Sequence, residues 1–223
     1  MTAIYQHHDL SPLTKQGLYD PSFEHDACGV GLVANIKGTK SHSIVAQGLE
    51  VLKNLGHRGA SGADPDTGDG AGILIQMPHE FFDTQCRELG IPLPRPGSYG
   101  VGMTFLPRDQ AQRRICEHTI QDVIEQEGQT FLGWRDVPVS PLAIGTLAAK
   151  NSPMIRQFFV QRSEDRENQA RFELKLYIMR KRIENAISNL ALVLDEEFYI
   201  SSLSSTKIVY KGLIMAHQLE HFY

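Results

Sequence analysis

The stretch HRGASGADPDTGDGAG at residues 57–72 leads directly into ILIQM at residues 73–77. Gly and Asp dominate the first part, and few of its residues support a helical or a strand period, so we predict a loop. The apolar run that follows is short and is stopped by Pro78, which predicts a buried strand. The chain therefore passes from a long Gly/Asp loop into a strand, and any functional interpretation of the loop has to fit that order.

Two familiar ligand sites are excluded at this loop by their spacing. An EF-hand that starts at Asp64 needs Gly at its sixth position and Glu at its twelfth, where this chain has Asp69 and Ile75. The glycines at 68, 70 and 72 form a GxGxG pattern, but a strand follows instead of a helix, and no Gly-Lys-Ser or Gly-Lys-Thr occurs. The glycines instead allow tight turns and a close approach to another chain segment or a small ligand.

Arg58, next to Gly59, is the candidate functional side chain of this loop. A guanidinium at the start of a Gly-rich turn can hold a carboxylate or stabilise a thiolate. The same donors also suit an Arg that braces the loop through backbone hydrogen bonds. Both interpretations stay open, and we retain Arg58 as a candidate substrate-binding residue.

Upstream of the loop, the segment CGVGLVANIK from Cys28 to Lys37 alternates in polarity. Its apolar members share one face, which predicts a strand. These are Val30, Leu32, Ala34 and Ile36. A single Cys on a strand is usually a small buried hydrophobe. The alternative is a nucleophile at a newly made N-terminus, because a free α-amine with a pKa of ~7.7–8.0 can act as base for its own side chain.

The prefix at residues 1–27 differs in character from the rest of the chain. It holds one Lys, four acidic residues and no Arg, and no apolar region follows a basic start, which excludes a secretory signal. Pro12, Gly17 and Pro21 interrupt any helix. The prefix is therefore either a flexible tail or a segment that is removed. Because the nitrogen of Cys28 is a non-basic amide in the uncut chain, the nucleophile interpretation requires removal.

Downstream, helical and strand periods alternate. Helices are predicted from a Ser41 or Ser43 cap to Leu55, around Phe82–Leu89, from an Asp109 cap to Gly128, and across Phe172–Ile187. Strands are predicted at Tyr99–Leu106, Thr130–Val137 and Ile155–Gln161, with a hairpin joining Phe198–Leu203 to Lys207–Lys211. Long helices mixed with strands on short links predict an α+β fold. We interpret the basic cluster Arg180–Arg182 as a solvated helix face.

Composition excludes several classes of function. The 223 residues carry 22 Lys and Arg against 26 Asp and Glu, a net charge of −4, which excludes a strongly basic nucleic-acid binder. No apolar run approaches the ~18 residues of a membrane span, so we expect neither a nucleic-acid nor a membrane partner. No HxxxH or HExxH pattern is formed by His7, His8, His42, His79 and His118, so we propose no metal site.

The chain has three cysteines and no CxxC pattern. They cannot form a closed disulfide set, which favours free thiols in a reducing, cytoplasmic compartment. Cys86 and Cys116 fall on predicted helix faces, without the spacing of an iron–sulfur site, and we expect both to be core residues.

Two segments, CGVGLVANIKG from Cys28 and NLGHRGASGADPDTGDGAGILIQMPHEFF from Asn54, closely resemble a known family. This is the amino-terminal class II glutamine amidotransferase domain of the glutamate synthase large subunit. The similarity continues through RKRIENAI at 180–187, FYISSLSS at 198–205 and IVYKG at 208–212, so it covers nearly the whole chain after the prefix. The pairing of HRG with GADPDTGDGAGI is highly specific, whereas a bare Cys-Gly is not.

The resemblance implies an N-terminal-nucleophile hydrolase fold, a four-layer αββα sandwich that is incomplete in this chain. It implies that residues 1–27 are a propeptide and that residues 28–223 are the first part of the amidotransferase domain. Cys28 would attack the side-chain amide of glutamine, form a glutamyl thioester and release ammonia, and water would then free glutamate.

For the complete enzyme, the resemblance implies a reductive site in other domains of the same polypeptide. Ammonia would travel there to aminate 2-oxoglutarate, with FMN and an iron–sulfur cluster supplying reduction, while this segment itself needs no cofactor. A small NADPH-oxidising subunit is a candidate partner. The electron donor stays open between NADPH, NADH and ferredoxin.

The chain departs from the family in one respect that bears on catalysis. The family has an Asn-Gly pair that forms the oxyanion hole and a carboxylate-binding Arg downstream of IVYKG, but no Asn in this sequence precedes Gly. We therefore expect a fragment that is nearly inactive alone. The alternatives are a truncated, non-catalytic module and another class II amidotransferase related to asparagine synthetase or amidophosphoribosyltransferase.

Overall fold

The computed structural model describes residues 28–56, 64–163, 168–190 and 198–223. Within these ranges the helices are α1 His42–Asn54, α2 His79–Glu88, α3 Gln110–Gln126, α4 Thr146–Asn151, α5 Gln169–Ser188 and α6 Leu219–Phe222. The strands are β1 Ala71–Gln76, β2 Tyr99–Leu106, β3 Thr130–Asp136, β4 Met154–Gln161, β5 Tyr199–Ser204 and β6 Lys207–Gly212. The predicted mixture of helices and strands is confirmed.

The described strands form two antiparallel sheets. The larger sheet has the order β3-β4-β2-β5, and the smaller one pairs β1 with β6. In the larger sheet Tyr99 lies opposite Gln161, and in the smaller sheet Ala71 lies opposite Gly212. Strand β1, which follows the Gly/Asp loop, therefore lies beside β6, which contains the IVYKG segment, although the two are distant in sequence.

Both long helices begin at side-chain caps, and the cap predicted at Asp109 is confirmed. The Asp109 carboxylate accepts a hydrogen bond from Gln112 N at 2.9 Å, and Asn168 accepts one from Arg171 N at 2.9 Å. These helices, α3 and α5, cover one face of the larger sheet with a buried apolar cluster. Its helical members are Cys116, Ile120, Val123, Ile124, Phe172, Leu176, Met179, Ile183 and Ile187.

A second buried cluster lies on the other face of the larger sheet. Strand β4 shows the alternation directly, because Phe158 and Val160 join the α3/α5 cluster while Ile155 and Phe159 join the second one. The second cluster also takes in α2, α6 and Ile208 of β6, and residues of α1 and β1 pack against it. The larger sheet is thus covered on both faces.

The predicted hairpin at residues 198–211 is wrong, because β5 pairs with β2 and β6 pairs with β1. The chain turns at Ser205 and crosses from one sheet to the other. Serine side chains supply hydrogen bonds between the two strands: Ser201 Oγ donates to Val209 O at 3.2 Å, and Val209 N donates to Ser202 Oγ at 3.1 Å. A two-strand pattern with a short turn fits a hairpin and a sheet-to-sheet crossing equally well.

Glu173 of α5 fixes this crossing. Its carboxylate accepts hydrogen bonds from Ser205 N at 2.6 Å, from Ser205 Oγ at 2.5 Å and from Ser204 Oγ at 2.9 Å. Ser204 and Ser205 are almost fully buried, so an unpaired polar atom here would cost about 1–3 kcal/mol. The Glu173 carboxylate thus holds the turn together with Ser204 Oγ, which accepts a hydrogen bond from Thr206 N at 3.0 Å.

The predicted strand from Cys28 to Lys37 is also wrong. Among the described residues no strand pairs with this segment, and a strand requires a ladder partner. Its alternating apolar residues Val30, Leu32 and Ile36 are strongly exposed. Strand β1 forms as predicted but is only half buried, since burial alternates along it and Leu74 is 60% exposed.

Candidate active site

Cys28 is an exposed free thiol on an extended segment beside α1. The segment approaches the helix closely at Gly31, where an added Cβ would come within 2.1 Å of a side-chain carbon of Val51. The interpretation of Cys28 as a buried hydrophobe is therefore wrong. An exposed sulfur is what a nucleophile that attacks a soluble substrate requires.

The other two cysteines have the opposite environment. Cys86 of α2 and Cys116 of α3 are fully buried, and they belong to different apolar clusters. Burial raises the pKa of each thiol to about 11, because the thiolate would lose its hydration. Their predicted role as core residues is confirmed, and Cys28 is the one exposed cysteine of the three.

We expect a thiol-alkylating reagent such as iodoacetamide to modify Cys28 alone at pH 8 in the folded protein. Cys86 and Cys116 are shielded and stay protonated well above this pH, so they should react only after denaturation. Peptide mass spectrometry before and after addition of urea measures this difference. Modification of Cys86 or Cys116 at the rate of Cys28 in the folded protein would contradict the burial described here.

Arg58, the other predicted site residue, lies outside the described residues. The structure describes its loop from Asp64 onward, and there the loop is anchored to α4. The Asp64 carboxylate accepts hydrogen bonds from Leu147 N at 3.0 Å and from Thr67 Oγ1 at 2.9 Å. These bonds, with a further one from Asp66 N, hold the pKa of Asp64 below its ordinary value of 3.8. The carboxylate thus caps a helix about eighty positions away in sequence.

The same loop is also bound to the segment before α6. The Asp66 carbonyl accepts hydrogen bonds from Gly145 N at 2.9 Å and from Gln218 Nε2 at 2.8 Å. An added Cβ at Gly68 would lie 2.6–2.8 Å from backbone atoms of Ile214 and Met215. The prediction that these glycines permit close approach to another chain segment is confirmed.

We expect Asp64→Asn to loosen this anchor, because an amide supplies one acceptor where the carboxylate uses two. Amide hydrogen exchange at Leu147 and Ala148 should become several-fold faster at pH 7 than in the wild type. Asp122→Asn, at an exposed carboxylate on α3, is the matched control and should change nothing there.

The effect of Asp64→Asn should depend on pH in a defined direction. The folded-state pKa of Asp64 is lowered, so its stabilisation is complete above its ordinary pKa of 3.8 and is lost as pH falls through the lower folded value. The wild type and the variant should therefore converge below that range. A difference that persists unchanged at lower pH would show that the charge of Asp64 is not what holds the loop.

The described residues do not suit an iron–sulfur cluster. Such a cluster needs converging thiolates, whereas Cys86 and Cys116 lie in separate cores and Cys28 is on the surface. Among the residues that the structure describes, no group of three or more metal-ligating side chains of His, Cys, Asp or Glu occurs. In the same part of the chain, no helix has both the length and the apolar character of a membrane span.

Comparison with known proteins gives one family and a consistent set of relatives. The family model for glutamine amidotransferases of class II matches residues 28–223. The glutamate synthase large chain of Bacillus subtilis, named for NADPH, is 50% identical over 208 residues, which are 93% of this chain and 13% of that protein. The glutamate synthase of Saccharomyces cerevisiae, named for NADH, is 38% identical over 218 residues, which are 94% of this chain and 10% of that protein.

A third relative extends the set to another electron donor. The ferredoxin-dependent glutamate synthase 2 of Synechocystis is 37% identical over 200 residues, which are 90% of this chain and 12% of that protein. This chain thus spans only about an eighth of the length of such relatives. Because the family model covers the sequence from the exposed cysteine to the last residue, the chain belongs to the class II glutamine amidotransferases.

Proposed function

We propose that this chain is the glutaminase part of a glutamate synthase, with Cys28 as its nucleophile. The observation that carries the proposal is the position of Cys28. It is the first residue of the family match and the one exposed thiol among three cysteines. The relatives, all glutamate synthases by name, favour this enzyme over other class II amidotransferases.

The proposed reaction begins after residues 1–27 are removed as a propeptide. The new α-amine of Cys28 takes the thiol proton, and the sulfur attacks the side-chain carbonyl carbon of glutamine. The C–N bond then breaks as the protonated amine returns its proton to the leaving nitrogen, which departs as ammonia. Water hydrolyses the thioester to glutamate and restores the thiol. The start of the family match at residue 28 supports this boundary.

We assign Arg58 to the substrate, where its guanidinium would pair with the glutamine carboxylate. Support comes from the anchoring of the loop that follows it, since Asp64 and Asp66 fix that loop to α4 and to Gln218. No Asn-Gly pair occurs in this sequence, so we place the oxyanion donors in further polypeptide.

We propose the four-layer αββα arrangement of N-terminal-nucleophile hydrolases for the domain. In its support, α3 and α5 cover one face of the larger sheet, and the β1/β6 sheet lies toward the other face with α1 against β1. The crossing between β5 and β6 links two such sheets.

For the whole protein, we propose that ammonia passes to another domain and aminates 2-oxoglutarate there. FMN and an iron–sulfur cluster would supply reduction in that domain. The cysteines of this chain are not placed to hold such a cluster, because Cys86 and Cys116 lie in separate apolar clusters. The names of the relatives include NADPH, NADH and ferredoxin as donors. We propose a small NADPH-oxidising subunit only if NADPH is the donor of this protein. The three free cysteines support a reducing, cytoplasmic setting.

The proposal is tested in the complete protein with glutamine labelled by ¹⁵N at its side-chain amide. With 2-oxoglutarate and a reductant present, the label should appear in the amino group of newly formed glutamate. Labelled ammonia released without consumption of 2-oxoglutarate would indicate another class II amidotransferase. Absence of any amide hydrolysis would indicate the non-catalytic alternative.

A further inference from the structure

Arg135 of β3 carries a buried positive charge that has no counter-ion. The residue is only 6% exposed. Its guanidinium donates to Gln157 Oε1 at 2.9 Å and to Gln85 Oε1 at 3.0 Å, and both of these acceptors are neutral amides. Among the residues that the structure describes, no ion pair includes Arg135. Because buried charges are ordinarily paired with an opposite charge, this guanidinium points to a ligand that supplies one.

The guanidinium of Arg135 has donors to spare for such a ligand. The group carries five N–H donors in one plane, and the bonds to Gln85 and Gln157 use two of them. The Phe81 ring lies over the group, with 5.2 Å between its centre and the guanidinium carbon. One face is therefore covered, and an acceptor has to approach in the plane of the group. A carboxylate does so with two parallel hydrogen bonds.

Arg135 lines an open cleft between α2 and the edge strand β3. The volume of the cleft is about 300 Å³, which is the lower end of the ~300–1,000 Å³ range of small-molecule sites. Two lining residues, Asp136 and Arg156, pair with each other at 2.5 Å and so leave no free charge. The apolar part of the lining consists of Leu89, Trp134 and Pro138.

The cleft also contains a negative charge that the fold leaves without a cation. Glu88 lines it and forms no ion pair with any described residue. The Glu88 carboxylate accepts a long hydrogen bond of 3.5 Å from Gln85 Nε2, while Gln85 Oε1 accepts from Arg135. One amide group thus lies between the two charges. The cleft presents a cation and an anion that are both close to the same side chain.

We propose that this cleft binds a free α-amino acid with an apolar side chain. The α-carboxylate would accept hydrogen bonds from Arg135, the α-ammonium would donate to Glu88, and the side chain would contact Leu89 and Pro138. A simple anion would be repelled by Glu88, and a simple cation by Arg135. A free amino acid carries both charges on one carbon atom, whereas a residue inside a peptide has neutral amides in their place.

The inference goes beyond the proposed function and does not require it. The residues of the cleft lie on α2, on β3, on β4 and in the segments that follow α2 and β3. None of them belongs to the Cys28 segment or to the Gly/Asp loop. A test at the cleft therefore has to report on these elements and not on the release of ammonia.

The test is amide hydrogen exchange in the complete protein, with L-leucine as the probe. Peptides that cover residues 85–89 and 134–138 should exchange several-fold more slowly at millimolar leucine. The dependence of this protection on leucine concentration gives the affinity at the cleft, separately from any other amino-acid site. At the same concentrations, 4-methylpentanoate lacks the ammonium and 3-methylbutylamine lacks the carboxylate, so neither should protect these peptides.

Two variants test the two charges. Glu88→Gln, at an exposed position, should weaken the affinity for leucine roughly tenfold, and Glu80→Gln, at an exposed carboxylate on the same helix, should leave it unchanged. Arg135→Met should abolish the protection, with circular dichroism as the check on folding. Absence of protection in the wild type would overturn the proposal. So would equal protection by 4-methylpentanoate, which would show a site for anions only, or an unchanged affinity in Glu88→Gln.

Discussion

Cys28→Ser should abolish glutamine-dependent glutamate formation in the complete protein, lowering its rate by ~10³-fold or more. A hydroxyl is a far weaker nucleophile than a thiol at neutral pH, and the thioester cannot form without sulfur. Cys28 is exposed, so the change removes no core packing and the fold should be unaffected. Synthesis from added ammonia should continue, because the reductive chemistry is assigned to other domains. Measuring both nitrogen sources on one preparation separates loss of chemistry from loss of folding.

The buried cysteines provide the matched controls. Cys86→Ser and Cys116→Ser should retain turnover, since both side chains are fully buried in apolar clusters. Each should instead lower the free energy of unfolding by about 1–3 kcal/mol, because a hydroxyl loses its hydration there. Urea denaturation measures that change. Loss of glutamine-dependent activity in a correctly folded Cys86→Ser or Cys116→Ser protein, with Cys28 intact, would overturn the assignment of the nucleophile.

Local rules were enough to predict the elements whose stability is decided within one helix or strand. The cap at Asp109 and the buried period of α5 depend on neighbours three or four residues away. Strand β2 is equally local in pattern, and its predicted ends match Tyr99–Leu106. In these elements the spacing of the apolar residues and the residues at the boundaries indicate the same type of secondary structure.

Pairing could not be predicted in the same way, because it depends on residues far away in sequence. The alternation from Cys28 to Lys37 has the period of a strand, yet no described strand lies beside it. The pattern at 198–211 fits a hairpin, but β5 and β6 pair with β2 and β1. The alternation of apolar and polar residues indicates which face of a strand is apolar, but it does not identify the strand that pairs with it.

The anchor at Asp64 was missed for a related reason. Its carboxylate meets Leu147 N, and the short helix α4 that it caps has no apolar period long enough to be recognised. The sequence does carry one indication of this anchor, because DPDT at residues 64–67 has the composition of a turn that caps a helix. The partner of that cap could not be identified from local sequence. The exposure of Cys28 also needed the structure, since a lone cysteine on a predicted strand is usually buried.

A protein that keeps residues 1–27 should lack glutaminase activity even though Cys28 is present and exposed. In that chain the nitrogen of Cys28 belongs to a peptide bond and cannot accept a proton. Loss of a general base typically costs ~10²–10⁴ in rate. Intact-mass measurement of protein from its native host should accordingly give a chain that begins at Cys28.

Two effects of the prefix can be separated by experiment: the loss of a basic amine at Cys28 and steric hindrance from the residues that precede it. A gene for the complete protein in which Met directly precedes Cys28 yields the free amine after the initiator is removed, because Cys is small enough for methionine aminopeptidase. This protein should be fully active. A matched protein with a single uncleaved residue before Cys28 keeps the sulfur and adds little bulk, but its nitrogen is an amide. If the amine is the base, this second protein should be as inactive as the one with the whole prefix. Full activity in either extended protein would require a different base for the Cys28 thiol, and the propeptide would then have no part in creating the nucleophile.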